Sequence, residues 1–202
     1  MPTIFLAGDS TVQSYTRDSY PQCGWGQFLS EYIELDKFTV SNHAIGGRSS
    51  RSFIEENRLI AIETSIKSGD FLLVQFGHND ASKDRPERYV SVSDFPYYLN
   101  QYVSVCTKKG ATMILVTPIA RSHYNDAHQI PISFRQYRES MLQFAKNRNI
   151  SIIDLGLYST NYLNNCSKKC VSDMYMPDKT HPTESGARVY ASFVGDVFKN
   201  YL

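Results

Sequence analysis

Short apolar runs alternate with longer amphipathic segments along this chain. The first run, Ile4 to Ala7, is apolar throughout and stops at Gly8 and Asp9. Residues 70–76 form the clearest run and are apolar at nearly every position. Strands of a parallel sheet have this pattern because helices cover both faces of the sheet. The runs therefore predict buried parallel strands.

Five strands are predicted, with helices between them. The strands are residues 3–8, a segment led by residues 38–40 that ends at 42–45, and residues 70–76, 113–116 and 150–155. The helical patterns cover residues 25–35, 53–67 with one break near Glu56 and Asn57, 95–109, 134–148, and a last helix whose apolar face carries residues 187, 190, 193, 194, 197 and 198. This alternation predicts an α/β fold, a three-layer α/β/α sandwich with a five-stranded parallel sheet. The common strand order for it is 2-1-3-4-5.

Polar clusters follow three of these strands and precede the last helix. Ser10 comes after the first strand, Gly47 after the second and Asn79 after the third, while Asp178 and His181 stand before the final helix. The carboxyl ends of parallel strands meet at one edge of the sheet, where ligands of open α/β folds bind. We therefore expect these residues to form one site.

The clustered residue types are those that acyl transfer requires. A serine hydroxyl becomes a nucleophile when a base removes its proton, and histidine is the usual base near neutral pH. Asp178 precedes His181 by three residues, so a single turn brings its carboxylate to the imidazole. Backbone N–H groups of Ser10 and Gly47 and the amide nitrogen of Asn79 would supply three oxyanion donors. Each residue also has a structural alternative, as a turn residue or a helix cap.

The ordered blocks resemble those of the SGNH (GDSL-type) hydrolases. The matching blocks are Gly8-Asp9-Ser10, Gly47, Gly77-His78-Asn79-Asp80 and Asp178-Lys179-Thr180-His181. The resemblance implies a flavodoxin-like fold, a Ser10–His181–Asp178 triad and an oxyanion hole of Ser10, Gly47 and Asn79.

Within that superfamily the chain is similar to the rhamnogalacturonan acetylesterases. The similarity rests on residues 8–13, 24–26, 42–52, 75–80, 117–121 and 177–187. It implies a serine esterase that removes acetyl groups from a plant-type polysaccharide or its oligosaccharides. A lipid or small-ester hydrolase on the same fold is the alternative enzyme. A carbohydrate-binding protein with an inactive site is the alternative of another class, since a fold does not determine a function.

Several further residues are candidates for substrate binding. His78 lies between Gly77 and Asn79 and is expected on the substrate side of the site. Arg48, Arg51 and Arg121 stand near strand ends, and arginine suits the planar carboxylate of a uronate. The alternative for each arginine is that it is a solvated charge on the surface. Tyr15 and Tyr20 are candidates for contact with sugar faces.

Composition limits the other possibilities. With 202 residues, 42% hydrophobic and 20% charged, one globular domain over residues 1–202 is expected. A net charge of +1 gives no support for a nucleic-acid partner. No run approaches the roughly 20 apolar residues of a membrane helix. The N-terminus shows no signal peptide, which favours a cytoplasmic protein unless the sequence is a mature or trimmed form.

No cofactor or metal is expected, because the histidines and the four cysteines do not show the spacing of a metal site. The cysteines are expected to be structural, reduced thiols. A bridge between Cys166 and Cys170 is the alternative. The sequence does not indicate an oligomeric state.

Overall fold

A five-stranded parallel sheet forms the centre of the molecule. The computed structural model describes residues 1–34 and 36–201. Within them the strands are β1 (Thr3–Gly8), β2 (Thr39–Asn42), β3 (Phe71–Gln75), β4 (Thr112–Val116) and β5 (Ser151–Ile153). Their spatial order is β2-β1-β3-β4-β5, and every neighbouring pair is parallel. The predicted fold class is confirmed, and the strand order is the common one for this fold.

Two hydrophobic cores lie on opposite faces of this sheet. Successive side chains of a strand point to opposite faces, so Leu6 and Leu73 join one core while Phe5 and Leu72 join the other. Full burial of a leucine or phenylalanine contributes about 1.5–3 kcal/mol to folding. The apolar runs are therefore continuous because both faces of the sheet are covered.

Seven helices form the outer layers in the described part of the chain. They are α1 (Ser50–Glu55), α2 (Arg58–Ser65), α3 (Phe95–Lys109), α4 (Arg135–Arg148), α5 (Leu155–Asn165), α6 (Lys168–Met174) and α7 (Glu184–Phe198). Helices α1 to α4 contribute to the core that contains Phe5, and α5 to α7 to the core that contains Leu6. Helix α7 buries the predicted positions Ala187, Tyr190, Val194 and Phe198. The three layers of the sandwich are thus present.

The predicted helix over residues 25–35 is wrong. The structure has two single 3₁₀ turns instead, Trp25–Gln27 and Leu29–Glu31, and Leu35 lies outside the described residues. Backbone contacts with the loop after β1 replace helical hydrogen bonds, as in the bond from the Trp25 amide to the Thr11 carbonyl at 2.9 Å. A Cβ atom on Gly26 would lie 2.4 Å from the Val12 carbonyl oxygen. The apolar residues of this segment are buried as expected, but the close approach of two loops sets their conformation.

Other element boundaries shift for local reasons. The predicted helix over residues 53–67 begins earlier, at Ser50, because Ser49 and Ser52 cap α1 reciprocally. Its break falls at Asn57, whose φ of 61° is left-handed. Strand β5 ends at Ile153 because the side chain of Asp154 caps α5. The sulfur atoms of Cys166 and Cys170, at the junction of α5 and α6, lie 3.0 Å apart as free thiols.

Candidate active site

Ser10 lies two residues beyond the carboxyl end of β1. The carbonyl of Asp9 accepts hydrogen bonds from the amides of Val12 and Gln13, both at 3.1 Å, so the chain turns sharply around the serine. The turn leaves Ser10 half-buried at the edge of the sheet. Its Oγ lies 2.8 Å from Nε2 of His181, a residue 171 positions away in the sequence.

The segment before α7 orients His181. Oδ1 of Asp178 accepts hydrogen bonds from the amides of Thr180 at 2.9 Å and His181 at 3.0 Å. Its Oδ2 lies 2.5 Å from Nδ1 of His181. This arrangement favours the ring proton on Nδ1, with Nε2 facing the Ser10 hydroxyl as a hydrogen-bond acceptor. Partial burial disfavours the Asp178 carboxylate, but the hydrogen bonds from His181 and Thr180 hold its pKa below the ordinary value.

Ser10 opens into a cleft of about 450 Å³, which we call the Ser10 cleft. Gly47 and Asn79 both line it. Gly47 has a left-handed φ of 81°, a conformation that favours glycine. Nδ2 of Asn79 donates to the Arg48 carbonyl at 2.9 Å, which leaves its second N–H for another acceptor. The structure therefore brings together the five residues predicted for the triad and the oxyanion hole.

Asp80 joins the Asn79 turn to the start of α1. Its Oδ2 accepts from the Gly77 amide at 3.0 Å, and its Oδ1 accepts from the amide and hydroxyl of Ser50 at 3.0 and 2.5 Å. Complete burial raises the pKa of Asp80 to about 7, although the hydrogen bonds from Ser50 and Gly77 oppose the shift. Asp80 was predicted from the sequence only as part of the Gly77–Asp80 block, without a role of its own. The contacts show that it holds the loops of Gly47 and Asn79 in place.

His78 is buried beside the Ser10 cleft, with 5% of its surface exposed. Its Nδ1 lies 3.2 Å from Oδ2 of Asp9. Its ring packs edge-on against Phe134 at 4.5 Å between centroids. Among the described residues, neither ring nitrogen of His78 has an aligned hydrogen-bond partner. His78 thus lines the Ser10 cleft, and its contact with a substrate stays a prediction.

The predicted arginines divide into two groups. Arg48 donates to Glu56 at 2.9 Å and to the Gly46 carbonyl at 2.8 Å, and Arg51 donates to the Pro86 carbonyl at 2.6 Å. Neither lines the Ser10 cleft, whereas Arg121 does. The substrate contact predicted for Arg48 stays a prediction, and in the structure Glu56 and the Gly46 carbonyl bind its guanidinium.

Arg88 lines the Ser10 cleft and was missed by the sequence analysis. It stands in a run of charged residues, 83–88, that has the composition of a solvated loop. Its Nη1 would lie 3.6 Å from a Cβ atom on Gly47. Of the two tyrosines, Tyr15 lines the cleft and donates to the Ser10 carbonyl at 2.9 Å, whereas Tyr20 does not line it.

The described residues contain neither a candidate metal site nor a helix that could span a membrane. No group of three or more His, Cys, Asp or Glu side chains that could hold a metal ion occurs in residues 1–34 and 36–201. Among the helices described, none has both the length and the apolar character needed to cross a membrane.

Residues 4–194 match the family model of the GDSL-like lipases/acylhydrolases, and the chain belongs to this family. It is a carboxylic ester hydrolase. The chain is 43% identical to the probable rhamnogalacturonan acetylesterase YesY of Bacillus subtilis, over 97% of this chain and 92% of that protein. It is 34% identical to the rhamnogalacturonan acetylesterase RhgT of B. subtilis, over 96% and 88%.

A solved structure gives the same fold. The crystal structure of YxiM from B. subtilis superposes with a TM-score of 0.89 at 33% identity. The match covers 99% of this chain and 56% of that one, so the present chain spans little more than half of YxiM.

Proposed function

We propose that this enzyme removes acetyl groups from acetylated rhamnogalacturonan or its oligosaccharides, with Ser10 as nucleophile. The observation that carries the proposal is the alignment of Ser10, His181 and Asp178 through contacts of 2.8 and 2.5 Å. The similarity to YesY and RhgT supports the substrate. Both cores pack on one sheet, which supports a single SGNH hydrolase domain over residues 1–202.

In the first half of the reaction, Oγ of Ser10 attacks the acetyl carbonyl carbon while Nε2 of His181 takes the hydroxyl proton. Asp178 stabilises the imidazolium that forms. The N–H groups of Ser10 and Gly47 and the Asn79 amide bind the tetrahedral oxyanion. The intermediate then releases the sugar hydroxyl, which receives the proton from His181, and an acetyl ester remains on Ser10.

In the second half, water attacks the acetyl-serine. His181 accepts a proton from this water and returns it to Oγ of Ser10 as the ester bond breaks. Acetate leaves and the enzyme is restored. No step requires a group beyond the substrate, water and the side chains named.

The lining of the Ser10 cleft supports a short acyl group on a sugar. Its residues are polar or glycine apart from Tyr15, and none is aliphatic. Each further methylene of an acyl chain contributes about 0.8 kcal/mol of binding free energy, but only where apolar surface buries it. The cleft has no aliphatic side chain against which a longer acyl chain could pack, so we expect extension beyond acetyl to gain less than it would in an apolar pocket.

His78 is proposed as a contact to the sugar. Its buried Nε2 has no hydrogen-bond partner among the described residues and is available for a hydrogen bond with a sugar hydroxyl. Because Nε2 is buried, an unmade hydrogen bond there is costly. This contact would help to orient the acetylated residue over Ser10.

The test is acetate release by the purified enzyme from acetylated rhamnogalacturonan oligosaccharides, acetylated xylan, and p-nitrophenyl esters of two and eight carbons. We expect the highest kcat/KM among glycans on rhamnogalacturonan and a preference for the two-carbon ester. Ser10→Ala in parallel controls for contaminating esterases. A preference for the eight-carbon ester would indicate the lipid or small-ester hydrolase instead. Failure of all substrates, together with no labelling of Ser10 by a serine-directed covalent probe, would indicate an inactive carbohydrate-binding protein.

A further inference from the structure

Two arginines of the Ser10 cleft lack the ion pairs that the protein's other buried or half-buried arginines make. Arg48, Arg138 and Arg188 each bind a carboxylate of the chain at 2.9 Å or closer. Within the part of the chain that the structure describes, Arg88 and Arg121 form no ion pair with Asp or Glu. Both guanidinium groups face the same cleft as Ser10 and His181.

Their burial makes this unusual. Among the described residues, Nε of Arg88 and Nε of Arg121 are both removed from water without a hydrogen-bond partner. Nε of Arg51 is buried in the same way, but Arg51 lies outside the cleft and pairs with Glu55 at 3.6 Å. Leaving a charged donor buried and unpaired costs more than leaving a neutral one. Burial also lowers the pKa of Arg121, although Asp178 and Asp9 oppose the shift. Such groups are stabilised when an anion supplies the missing acceptors.

The arginine beside Phe134 is held in a fixed place. The guanidinium of Arg121 lies 4.8 Å from the centroid of the Phe134 ring, and His78 packs against the same ring. A stacked guanidinium keeps its planar edge free for hydrogen bonding. On another side, Arg88 lies beside the Gly47 turn. The two cations thus border the space that a substrate enters on its way to Ser10.

We infer that Arg88 and Arg121 form a carboxylate-binding subsite that receives a uronate of the substrate, on the sugar that carries the acetyl ester or on its neighbour. The inference rests on the proposed function and deepens it, because it assigns residues to the acidic part of the glycan. A carboxylate has two oxygens that match the planar donor edge of a guanidinium. Neutral glycans leave both arginines unpaired, so the subsite selects against them.

The test is a binding measurement in the Ser10→Ala background, which avoids turnover. Isothermal titration calorimetry compares a deacetylated rhamnogalacturonan oligosaccharide with the same oligosaccharide after its carboxyl groups are reduced to alcohols. We expect the acidic form to bind at least about tenfold more tightly, since charge-assisted hydrogen bonds reach that size. Arg88→Gln and Arg121→Gln should each reduce this ratio about tenfold. Added salt should also reduce it.

Arg85→Gln is the matched control, because it removes the same charge from the same loop outside the Ser10 cleft. It should leave the ratio unchanged. Arg88→Lys and Arg121→Lys keep the charge without the planar edge and should recover part of the ratio. Thermal unfolding of each variant checks that it is folded.

Equal affinity for the acidic and reduced oligosaccharides overturns the subsite. If Arg85→Gln lowers the affinity ratio as much as Arg88→Gln does, the subsite is overturned as well, because the effect would then be one of diffuse charge. Acetate release by the wild type is measured separately. A wild type without esterase activity that still prefers the acidic oligosaccharide contradicts the proposed function and not the subsite.

Discussion

The carboxylate of Asp9 lies 3.2 Å from Nδ1 of His78, and these two buried residues immediately precede Ser10 and Asn79. Oδ1 of Asp9 accepts from the amide and hydroxyl of Thr11 at 2.9 and 2.8 Å, whereas Oδ2 lies beside His78 without an aligned hydrogen bond to any described residue. Burial disfavours the Asp9 carboxylate, but attraction to His78 and the hydrogen bonds from Thr11 hold its pKa below the ordinary value. The contact fixes the proposed nucleophile relative to an oxyanion donor.

Replacement of His78 by Ala should destabilise the protein by about 1–3 kcal/mol, because the buried Asp9 carboxylate would lose its contact with the His78 ring at 3.2 Å. Asp9→Asn combined with His78→Ala should cost less than the sum of the single changes. Urea unfolding at neutral pH measures the free energy of unfolding of the wild type, the two single variants and the double variant. His123→Ala, in an exposed loop, is the control and should change stability by less than about 0.5 kcal/mol. Strict additivity would show that the two residues do not interact.

Ser10→Ala should abolish esterase activity and leave the fold intact. Loss of a triad nucleophile typically lowers kcat by about 10⁴- to 10⁶-fold. Among the described residues, the Ser10 hydroxyl is hydrogen-bonded to the His181 ring alone, so the melting temperature should change little. Ser19→Ala, outside the cleft, serves as the control for activity. More than about a tenth of wild-type turnover, in protein free of the wild type, would refute the assignment.

Asn79→Ala should lower kcat by roughly 10²- to 10³-fold with little change in KM, because an oxyanion donor acts mainly in the transition state. Steady-state kinetics on p-nitrophenyl acetate measure both constants. The variant also loses the hydrogen bond from Nδ2 to the Arg48 carbonyl, so its stability is measured alongside. A change confined to KM would assign Asn79 to substrate binding instead.

The sheet could be predicted because its pattern is local. Residues 70–76 are mostly apolar because helices cover both faces of the sheet at this strand. This pattern can be read from the segment alone. Residues 25–33 show the limit of such reasoning. Their apolar spacing is that of a helix, but contacts with residues 11–13 determine the backbone. Those contacts depend on tertiary structure and leave no periodic signal.

The candidate site likewise has residues that could be predicted from the sequence and residues that could not. Ser10, Asn79 and His181 follow or precede recognisable elements in motifs, so their meeting could be expected. Arg88 lies in a charged loop without a motif, and only the fold brings it over Gly47. Arg48 stands beside the motif glycine, yet Glu56 binds its guanidinium. The sequence shows which residues are charged, whereas the folded chain determines which charges remain unpaired.

The pair of Asp154 and Arg138 gives a prediction about pH. Asp154 binds Arg138 with both carboxylate oxygens and also accepts from the Thr117 hydroxyl at 2.9 Å. Burial disfavours its charge, but the hydrogen bonds from Arg138 and Thr117 hold its pKa below the ordinary value. The Asp154 carboxylate therefore contributes its full stabilisation above the pKa of an aspartate in the unfolded chain, about 3.9. This stabilisation is lost as the pH falls through the pKa of Asp154 in the folded protein, which is lower.

At pH 7, Asp154→Asn should lower the free energy of unfolding by about 1–3 kcal/mol, because a charge-assisted network at a helix start is broken. The difference from the wild type should narrow as the pH falls below about 4, since protonation weakens the same contacts in the wild type. Urea unfolding at pH 7, 5 and 3.5 tests this. Asp173→Asn removes an exposed ion pair with Lys169 and should cost less than about 0.5 kcal/mol at each pH. A difference for Asp154→Asn that stays constant from pH 7 to 3.5 would show that its charge does not stabilise the fold.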